Sequence, residues 1–534
     1  MIAHDLRFAF RSFRREPGFA SGVVLNFALA IGSAAAMFGL VNRLLLAPPP
    51  GIAAADRVAR VGLSMAGGDG EPFTYLTTSY PVFEVTAAAT TVFDGVAAFR
   101  ADTVTLGRGT DLEQVAVVQA GGAYFTTLGA RAAAGRLFGT GDDALPAGND
   151  VVVLSHAFWQ RRFSGDPGAL GTELVVDGQV LTIVGVTARG FNGIELAATD
   201  LYVPLTTAFR SRGAGWWAHT GLNIVSLVAR LRPGVTPSAA GATVAAAIRG
   251  TVERYPDERL LGVAVLPLVG ASSSRLSQQA RIALWSVAVA FAVLLMATAN
   301  AGTLLLLRAA RRRNEIAVRI ALGARAGLLA RQSLVESVTL ALAGALVGLV
   351  LSRWLGDLVR VWLLPGLAPT ETVVDTRVLM VAVVAALGAG VLAGLSPLAQ
   401  WRHRSLSGDL RAGGGHGSSS RFVVQYALVG FQVALCTVLL VGAGLFVRSM
   451  QRVQAQDLGF STARLLYVTI DFLGASGGRE RDRAYEDAVA RVRTVPGVTG
   501  ATVTQGMPFA SHYIPPVNIP GYQLPPPNVE QLPI

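Results

Sequence analysis

The sequence predicts an integral membrane α-helical protein with five spans and a large extracytoplasmic α+β domain. The chain of 534 residues is 52% hydrophobic and only 15% charged, whereas soluble domains carry about 25% charged residues. Five apolar runs have the length that a bilayer requires. The stretch 48–281, between the first two runs, carries the strand and helix patterns of a folded domain.

The apolar runs define the predicted spans. Crossing about 30 Å of hydrocarbon at about 1.5 Å per residue takes roughly 20 apolar residues. The runs occupy residues 19–46, 282–307, 334–351, 378–398 and 422–447. The first is longer than the apolar part of a signal peptide, so we predict an uncleaved span.

Three residues of the third run carry further expectations. Gly344 and Gly348 have the spacing that lets helices approach closely, and we expect them to pack inside the bundle. Glu336, near the start of the run, is predicted to be an interfacial group within reach of Arg331 or water. The third run is therefore expected to be a packed helix with one polar end.

Arginine-rich segments alternate between the spans and predict the topology. Short arginine-rich loops stay in the cytoplasm. Such segments precede the first span, join the second to the third, and join the fourth to the fifth. We therefore predict a multi-pass protein of the inner cell membrane with a cytoplasmic amino terminus. Residues 1–18 form a predicted amphipathic helix on the lipid bilayer, whereas 48–281 and everything after 448 lie outside the cytoplasm.

Residues that would support catalysis are scarce. The sequence contains no lysine, and the P-loop motif needs a lysine to reach the phosphates of ATP. The histidines are scattered, and none lies at metal-ligand spacing from cysteine or acids. The formal charge of +11 comes from arginines that cluster beside apolar runs, which argues against nucleic acid as a partner. We predict that the chain is not an enzyme and has no catalytic, cofactor or metal site.

The loop between the second and third spans, 308–331, has a helical pattern of its own. Asn314 is suited to begin a helix and Gly323 to end it. Glu315 and Arg319 are spaced as an i,i+4 ion pair. Apolar residues share one face, as in a short docking helix. The predicted docking residues are Asn314, Glu315, Ile316, Arg319, Ile320, Leu322, Gly323 and Ala324.

Strand and helix patterns recur through the exported stretch. Alternating hydrophobicity predicts strands at 58–63, 103–106, 114–119, 151–154, 174–176, 181–186, 224–231 and 263–268. Helical periodicity predicts helices over 80–99, after 154, and from the end of the 224–231 strand to about 255. Asp177-Gly178 is a strong signal for a two-residue hairpin turn. We therefore expect an α+β domain large enough to form its own core.

One aromatic group and one acidic pair in this domain are candidate functional residues. Phe158, Trp159 and Phe163 lie on one predicted helix, and we expect them to belong to the core. Asp142 and Asp143 are adjacent acids in a glycine-rich segment. We expect these two residues to be solvated loop or cap residues.

The loop sequence LLRAARRRNEIAVRIALGARAGLLARQSLVES resembles the FtsX-like permeases, the membrane subunits of MacB-type ABC transporters. The segments DLRFAFRSFRREPGF and VVVLSHAFWQRRFSGDPGALGTELVVDGQVLTIVGVTARGFNG resemble the duplicated acidobacterial-type permeases with a MacB-like periplasmic core. FQVALCTVLLVGAGLFVRSMQRVQAQDLGF resembles the start of their second half. The resemblance covers nearly the whole chain.

The resemblance implies a division of the chain into domains. It comprises a cytoplasmic helix 1–18, a span 19–47, a MacB-like core 48–281 with a second lobe at about 142–209, an FtsX-like domain 282–400 with three spans, a linker 401–421, a span 422–448, and the start of a second core 449–534. In the last segment we expect strands at 465–472 and 498–504 around a helix from Arg479, which repeat the opening of the first core. Because such proteins continue through three more spans, we expect a fragment or a truncated permease.

The resemblance also implies a function and partners. The loop helix would contact a separate cytoplasmic ABC ATPase, which binds ATP in place of this chain, and would pass ATP-driven movement to the exported domain for efflux or envelope export. A periplasmic adaptor and a homodimer, or a pseudo-dimer formed with a second half, are further implied partners. The alternative is a non-transporting mechanotransmission protein that regulates an envelope enzyme.

Overall fold

The computed structural model describes most of the chain. The described residues are 11, 13–42, 46–66, 72–108, 111–195, 197–210, 215–220, 222–251, 260–268, 278–311, 326–363, 376–402, 423–456, 465, 466, 468 and 478–504. The chain divides into two compact units. One is a membrane unit of Met1–Ala47 with Val269–Leu466, and the other contains Pro48–Leu268 with Tyr467–Ile534.

The helices are α1 (Pro17–Val41), α2 (Tyr80–Ala87), α3 (Tyr124–Leu128), α4 (His156–Phe163), α5 (Leu205–Ala208), α6 (Pro237–Thr251), α7 (Gln278–Arg311), α8 (Ala326–Leu363), α9 (Thr376–Arg402), α10 (Val423–Gln454) and α11 (Gly478–Arg493). The strands are β1 (Val58–Ala66), β2 (Pro72–Tyr75), β3 (Thr77–Thr78), β4 (Phe93–Leu106), β5 (Glu113–Ala120), β6 (Ala132–Gly135), β7 (Val151–Leu154), β8 (Glu173–Val176), β9 (Gln179–Thr187), β10 (Leu201–Pro204), β11 (Val225–Leu231) and β12 (Leu260–Pro267).

Helices α1, α7, α8, α9 and α10 are the predicted spans. Within the part of the chain that the structure describes, these five are long and apolar enough to cross a membrane. Each overlaps one predicted run, and α8 extends eight residues before and twelve residues after its run at 334–351. The predicted fold class, an integral membrane α-helical protein with a large extracytoplasmic α+β domain, is confirmed.

Small residues allow the membrane helices to pack closely. A Cβ atom on Gly344 of α8 would lie 2.5 Å from Phe27 Cβ of α1, and one on Gly348 would lie 2.7 Å from the Ala28 carbonyl oxygen. A Cβ atom on Gly390 of α9 would lie 2.8 Å from Val338 Cα of α8. These distances are too short for any larger residue, so the glycine pair of the third span serves packing within the bundle, as predicted.

One helix of the membrane unit stands apart from this packing. The buried apolar core of the bundle takes residues from α1, α7, α8 and α9, and none from the described part of α10. Helix α10 touches α7, where Cys436 Sγ lies 3.7 Å from Met296 Sδ. Side chains such as Leu440 and Phe446 on α10 are largely exposed.

The exported unit is built on one mixed sheet. Its strand order is β12-β1-β11-β4-β5-β10-β7-β9-β6, with β2, β3 and β8 paired at the sides of this path. One apolar core lies between the sheet and helices α2 and α6. A second core surrounds α3. A third core, around α4, includes Val104 and Val117 of β4 and β5.

Most of the predicted strands are present, and the predicted hairpin is confirmed. Val176 pairs with Gln179 across the turn, and both Asp177 (φ 47°) and Gly178 (φ 76°) have the positive φ that such a turn requires. Phe158 is fully buried, and Trp159 and Phe163 pack partly buried against the same core. The aromatic residues of α4 therefore belong to the core, as expected.

Two predictions of secondary structure were wrong. The helix predicted over 80–99 ends at Ala87, and Phe93–Leu106 is strand β4. Val96 and Ala98 of this strand belong to the core with α2 and α6, whereas Ala97 and Phe99 belong to the core around α3. Both faces are therefore buried at Val96–Phe99, and the alternation that signals a strand is lost. The strand predicted at 498–504 is irregular chain. The Arg493 side chain donates a hydrogen bond to the Ala501 carbonyl in this segment. Helix α11 forms as predicted, and most of 465–472 lies outside the described residues.

Candidate functional site

The predicted coupling loop lies between two helices of the membrane unit. Helix α7 ends at Arg311, and α8 begins at Ala326. Residues 312–325 lie outside the described residues, and with them all eight predicted docking residues, Asn314, Glu315, Ile316, Arg319, Ile320, Leu322, Gly323 and Ala324. The structure therefore describes the two helix ends on either side of the loop, at Arg311 and Ala326.

The end of α7 carries a buried arginine with partners on two other helices. Arg308 is 6% exposed. Its Nη1 donates to Glu336 Oε1 of α8 at 2.5 Å, and its Nε lies 2.8 Å from Glu16 Oε2 at the start of α1. Its Cζ lies 4.4 Å from the centroid of the Phe19 ring. We call these four residues the Arg308 cluster.

The chemistry of the cluster explains why an arginine occupies this position. A planar guanidinium donates in several directions and stacks on aromatic rings, which the point charge of an amine cannot do as well. Glu336 is 15% exposed on its side chain, and a buried carboxylate needs an opposite charge to offset its loss of water. The cluster therefore joins α1, α7 and α8 at one charged centre, three residues before the described end of α7.

Sequence reasoning missed this cluster. In the sequence, Arg308 is one of several arginines at the start of the loop and nothing distinguishes it from the others. Glu336 was expected to lie within reach of Arg331 or water. The available signal was Glu336 itself, because an acid in an apolar span requires a partner. Nothing in the sequence assigns that partner to Arg308, which is 28 positions away.

The adjacent acids Asp142 and Asp143 are also held more firmly than expected. Asp142 accepts two hydrogen bonds from Arg136, at 2.6 and 2.9 Å, and the Arg136 guanidinium holds the pKa of this carboxyl well below its usual range. Asp143 accepts from the backbone N–H groups of Gly122 and Thr206, and burial raises its pKa. Both carboxylates accept hydrogen bonds from backbone N–H groups, Asp142 from Gly139 as well, so of the two expected roles, solvated loop residue or cap, the structure shows the cap.

The residues that the structure describes were compared with the side-chain groups that bind metal ions. No group of three or more His, Cys, Asp or Glu side chains could hold a metal ion in this part of the chain. The charged clusters described above are ion pairs and backbone caps.

Comparison with known families assigns the two units. A MacB-like periplasmic core domain matches residues 23–247, and an FtsX-like permease C-terminal domain matches residues 287–406. The chain belongs to the FtsX/MacB-type permeases. The second match spans α7, the loop and α8, so the Arg308 cluster lies within the FtsX-like part of this permease.

Curated relatives of this chain include macrolide export proteins. The permease is 26% identical to the macrolide export ATP-binding/permease protein MacB of Burkholderia cenocepacia over 281 residues, which cover 52% of this chain and 38% of that protein. It is 28% identical to the MacB of Sodalis glossinidius over 243 residues, which cover 45% and 35% of the two chains. The permease thus matches well under half the length of these relatives.

Two solved structures are also similar. A domain of a putative permease from Porphyromonas gingivalis matches with 18% identity and a TM-score of 0.33, over 40% of this chain and 91% of that one. The periplasmic region of MacB from Actinobacillus actinomycetemcomitans matches with 18% identity and a TM-score of 0.29, over 38% and 85%. Because both scores are low, the family assignment rests on the sequence matches.

Proposed function

We propose that this permease is the transmembrane subunit of a MacB-type ABC system that receives mechanical work from a separate cytoplasmic ATPase. The observation that carries the proposal is the Arg308 cluster, a buried charged joint of three helices at the base of the loop in the FtsX-like part. The absence of lysine from the chain favours a separate subunit as the ATPase.

In the proposed mechanism, closure of the ATPase dimer on ATP pushes the helix at 314–324. Because Arg308 joins α7 to α1 and α8, the push moves the three helices together. Helices α1 and α7 lead in the chain to the core domain, which therefore receives the movement and performs efflux or envelope export. No substrate crosses the bilayer between the described helices in this scheme, and the alanine-filled centre of the bundle supports that.

The proposed partners follow from the same scheme. The ATPase docks on 314–324, an adaptor meets the exported domain, and a second copy or second half completes the assembly. The alternative, regulation of an envelope enzyme, would use the same mechanics with a different partner outside the cytoplasm. The domain division given by the resemblance, including the coupling loop 308–331, is part of the proposal.

The proposed orientation places the amino terminus and the 308–331 loop in the cytoplasm, and the core domain outside the inner membrane. In a Cys436→Ser background, a cysteine at Glu173 of β8 is expected to react with an impermeant maleimide added to intact cells. A cysteine at Ala324 is expected to react only after the cells are opened. Glu173 is an exposed strand residue, so its side chain is accessible to the reagent. Labelling of Ala324→Cys in intact cells would contradict the orientation.

The proposed energy source predicts the behaviour of the purified chain. In nanodiscs, the permease alone is expected neither to bind nor to hydrolyse ATP, because no lysine is present to hold the phosphates. Addition of the cognate ATPase is expected to give hydrolysis above that of the ATPase alone. The control is the same ATPase with empty nanodiscs. ATP turnover by the isolated permease, or no stimulation by it, would contradict the proposal.

A further inference from the structure

The segment that joins the first span to the core domain is bonded to the domain before the first strand begins. Ala53 N donates to the Leu128 carbonyl at 3.0 Å, at the end of α3. Ile52 packs against the apolar core around α3. Gly51 has φ +79°, and a Cβ atom there would lie 3.1 Å from Phe191 Cβ. The chain is therefore held from Gly51 onward, several residues ahead of β1.

One arginine of strand β11 donates to two backbone carbonyls of this segment. Arg230 Nη2 donates to the Ala53 carbonyl at 2.7 Å and its Nη1 to the Ala54 carbonyl at 3.4 Å. Its Nε donates to the Thr127 carbonyl at 2.8 Å. A single guanidinium thus joins the linker, helix α3 and the central part of the sheet. We call this set the Arg230 clamp.

A second arginine fixes the end of the linker. Arg57 donates to the Leu231 carbonyl through both Nε and Nη2, at 2.9 and 2.7 Å, and pairs with Asp94 of β4. Ala54 between the two arginines has φ +44°, which is unusual for a residue with a side chain. The surrounding bonds hold residues 53–57 in this bent conformation.

The other membrane connection reaches the sheet beside this one. Pro267 of β12 pairs with Ala59 of β1, and Leu268 N donates to the Val58 carbonyl at 3.4 Å. Strand β12 lies at one end of the described strand order, where it packs against β1 and α6. The linker to α1 is bonded to α3, β4 and β11.

We propose that Arg230 is a positioning residue that fixes the linker 48–57 to the core domain, so that movement of the first span reaches the sheet without loss. This inference rests on the proposed function, because movement of the span requires the partner ATPase. Without the guanidinium, the three carbonyls turn to water and the linker extends before it pulls on the domain. Hydrolysis by the ATPase would continue, since Arg230 takes no part in docking.

The test measures ATP hydrolysis and domain displacement separately in the full chain in nanodiscs. Spin labels at Glu173→Cys and Thr376→Cys, in the Cys436→Ser background, report the distance change that ATP causes with the cognate ATPase present. Arg230→Met is expected to keep stimulated hydrolysis and to lose the distance change. The matched control is Arg232→Met on the same chain segment. Arg232 is half-exposed on its side chain, which among the described residues pairs with Asp94 at 3.5 Å, so this variant is expected to keep both readouts.

A second variant distinguishes the effect of a longer linker from the effect of a misfolded domain. Two glycines inserted between Pro50 and Gly51 leave every contact of the Arg230 clamp in place but lengthen the linker, and the same loss of displacement is expected. An unchanged displacement in Arg230→Met would overturn the inference. A loss in Arg230→Met without a loss in the insertion variant would also overturn it, because Arg230 would then act through folding of the domain. Absence of stimulated hydrolysis with the unmodified chain would instead refute the proposed function, and this inference with it.

Discussion

Replacing Arg308 with methionine is expected to destabilise the packed membrane helices by about 3–5 kcal/mol, because removal of one partner leaves a buried carboxylate without its main opposite charge. Methionine is close to arginine in length, so the apolar contacts of the side chain are largely kept. Glu336 and Glu16 would lose the guanidinium that now lies between them. The measurement is the midpoint of thermal unfolding of the full chain in nanodiscs.

The matched control is Arg311→Met, one turn further along α7. Arg311 is exposed, so this variant is expected to unfold close to the unmodified chain. Combining Arg308→Met with Glu336→Gln is expected to recover part of the loss, because the buried charge is removed together with its partner. Equal unfolding midpoints for Arg308→Met and Arg311→Met would show that the Arg308 cluster does not stabilise the bundle. In that case, the proposal that the Arg308 cluster joins the three helices at the base of the loop would be wrong.

The double substitution Glu315→Arg with Ile320→Asp is expected to abolish stimulation of the partner ATPase while membrane insertion proceeds. The first change places a positive charge at the start of the predicted helix, where the helix dipole disfavours it by roughly 0.3–1 kcal/mol, and removes the pairing with Arg319. The second puts a charge on the apolar face that Ile316 and Ile320 share. Neither residue lies in an apolar run, so insertion does not depend on them.

The control for the loop is Arg312→Gln, which keeps the predicted helix and most of the positive charge. It is expected to stimulate hydrolysis like the unmodified chain. Copurification with the ATPase and the rate of stimulated hydrolysis are the two readouts. If the double variant retains both at the unmodified level, residues 314–324 do not dock the ATPase. The arginines of the loop would then act as topology signals alone.

The features that the sequence predicted well are those with a local physical cause. The thickness of the hydrocarbon sets the length of an apolar run, and α1, α7, α8, α9 and α10 follow the predicted runs closely. The turn at Asp177-Gly178 depends on the φ preferences of two adjacent residues. The failure at β4 has the opposite origin. An apolar core packs against each of its two faces, and a strand buried on both faces carries no periodic signal.

The sequence by itself determined the membrane class, the five spans and the pattern of the 308–331 loop, because each depends on residues close together in the chain. Tertiary structure alone decided which charges meet. Arg308 finds Glu336 across a loop and Glu16 near the amino terminus, and Arg230 finds Ala53 at a separation of 177 positions. A guanidinium can pair with any carboxylate or carbonyl that the fold brings within about 3 Å. The partner is therefore set by the packing of helices and strands, and composition and spacing do not reveal it.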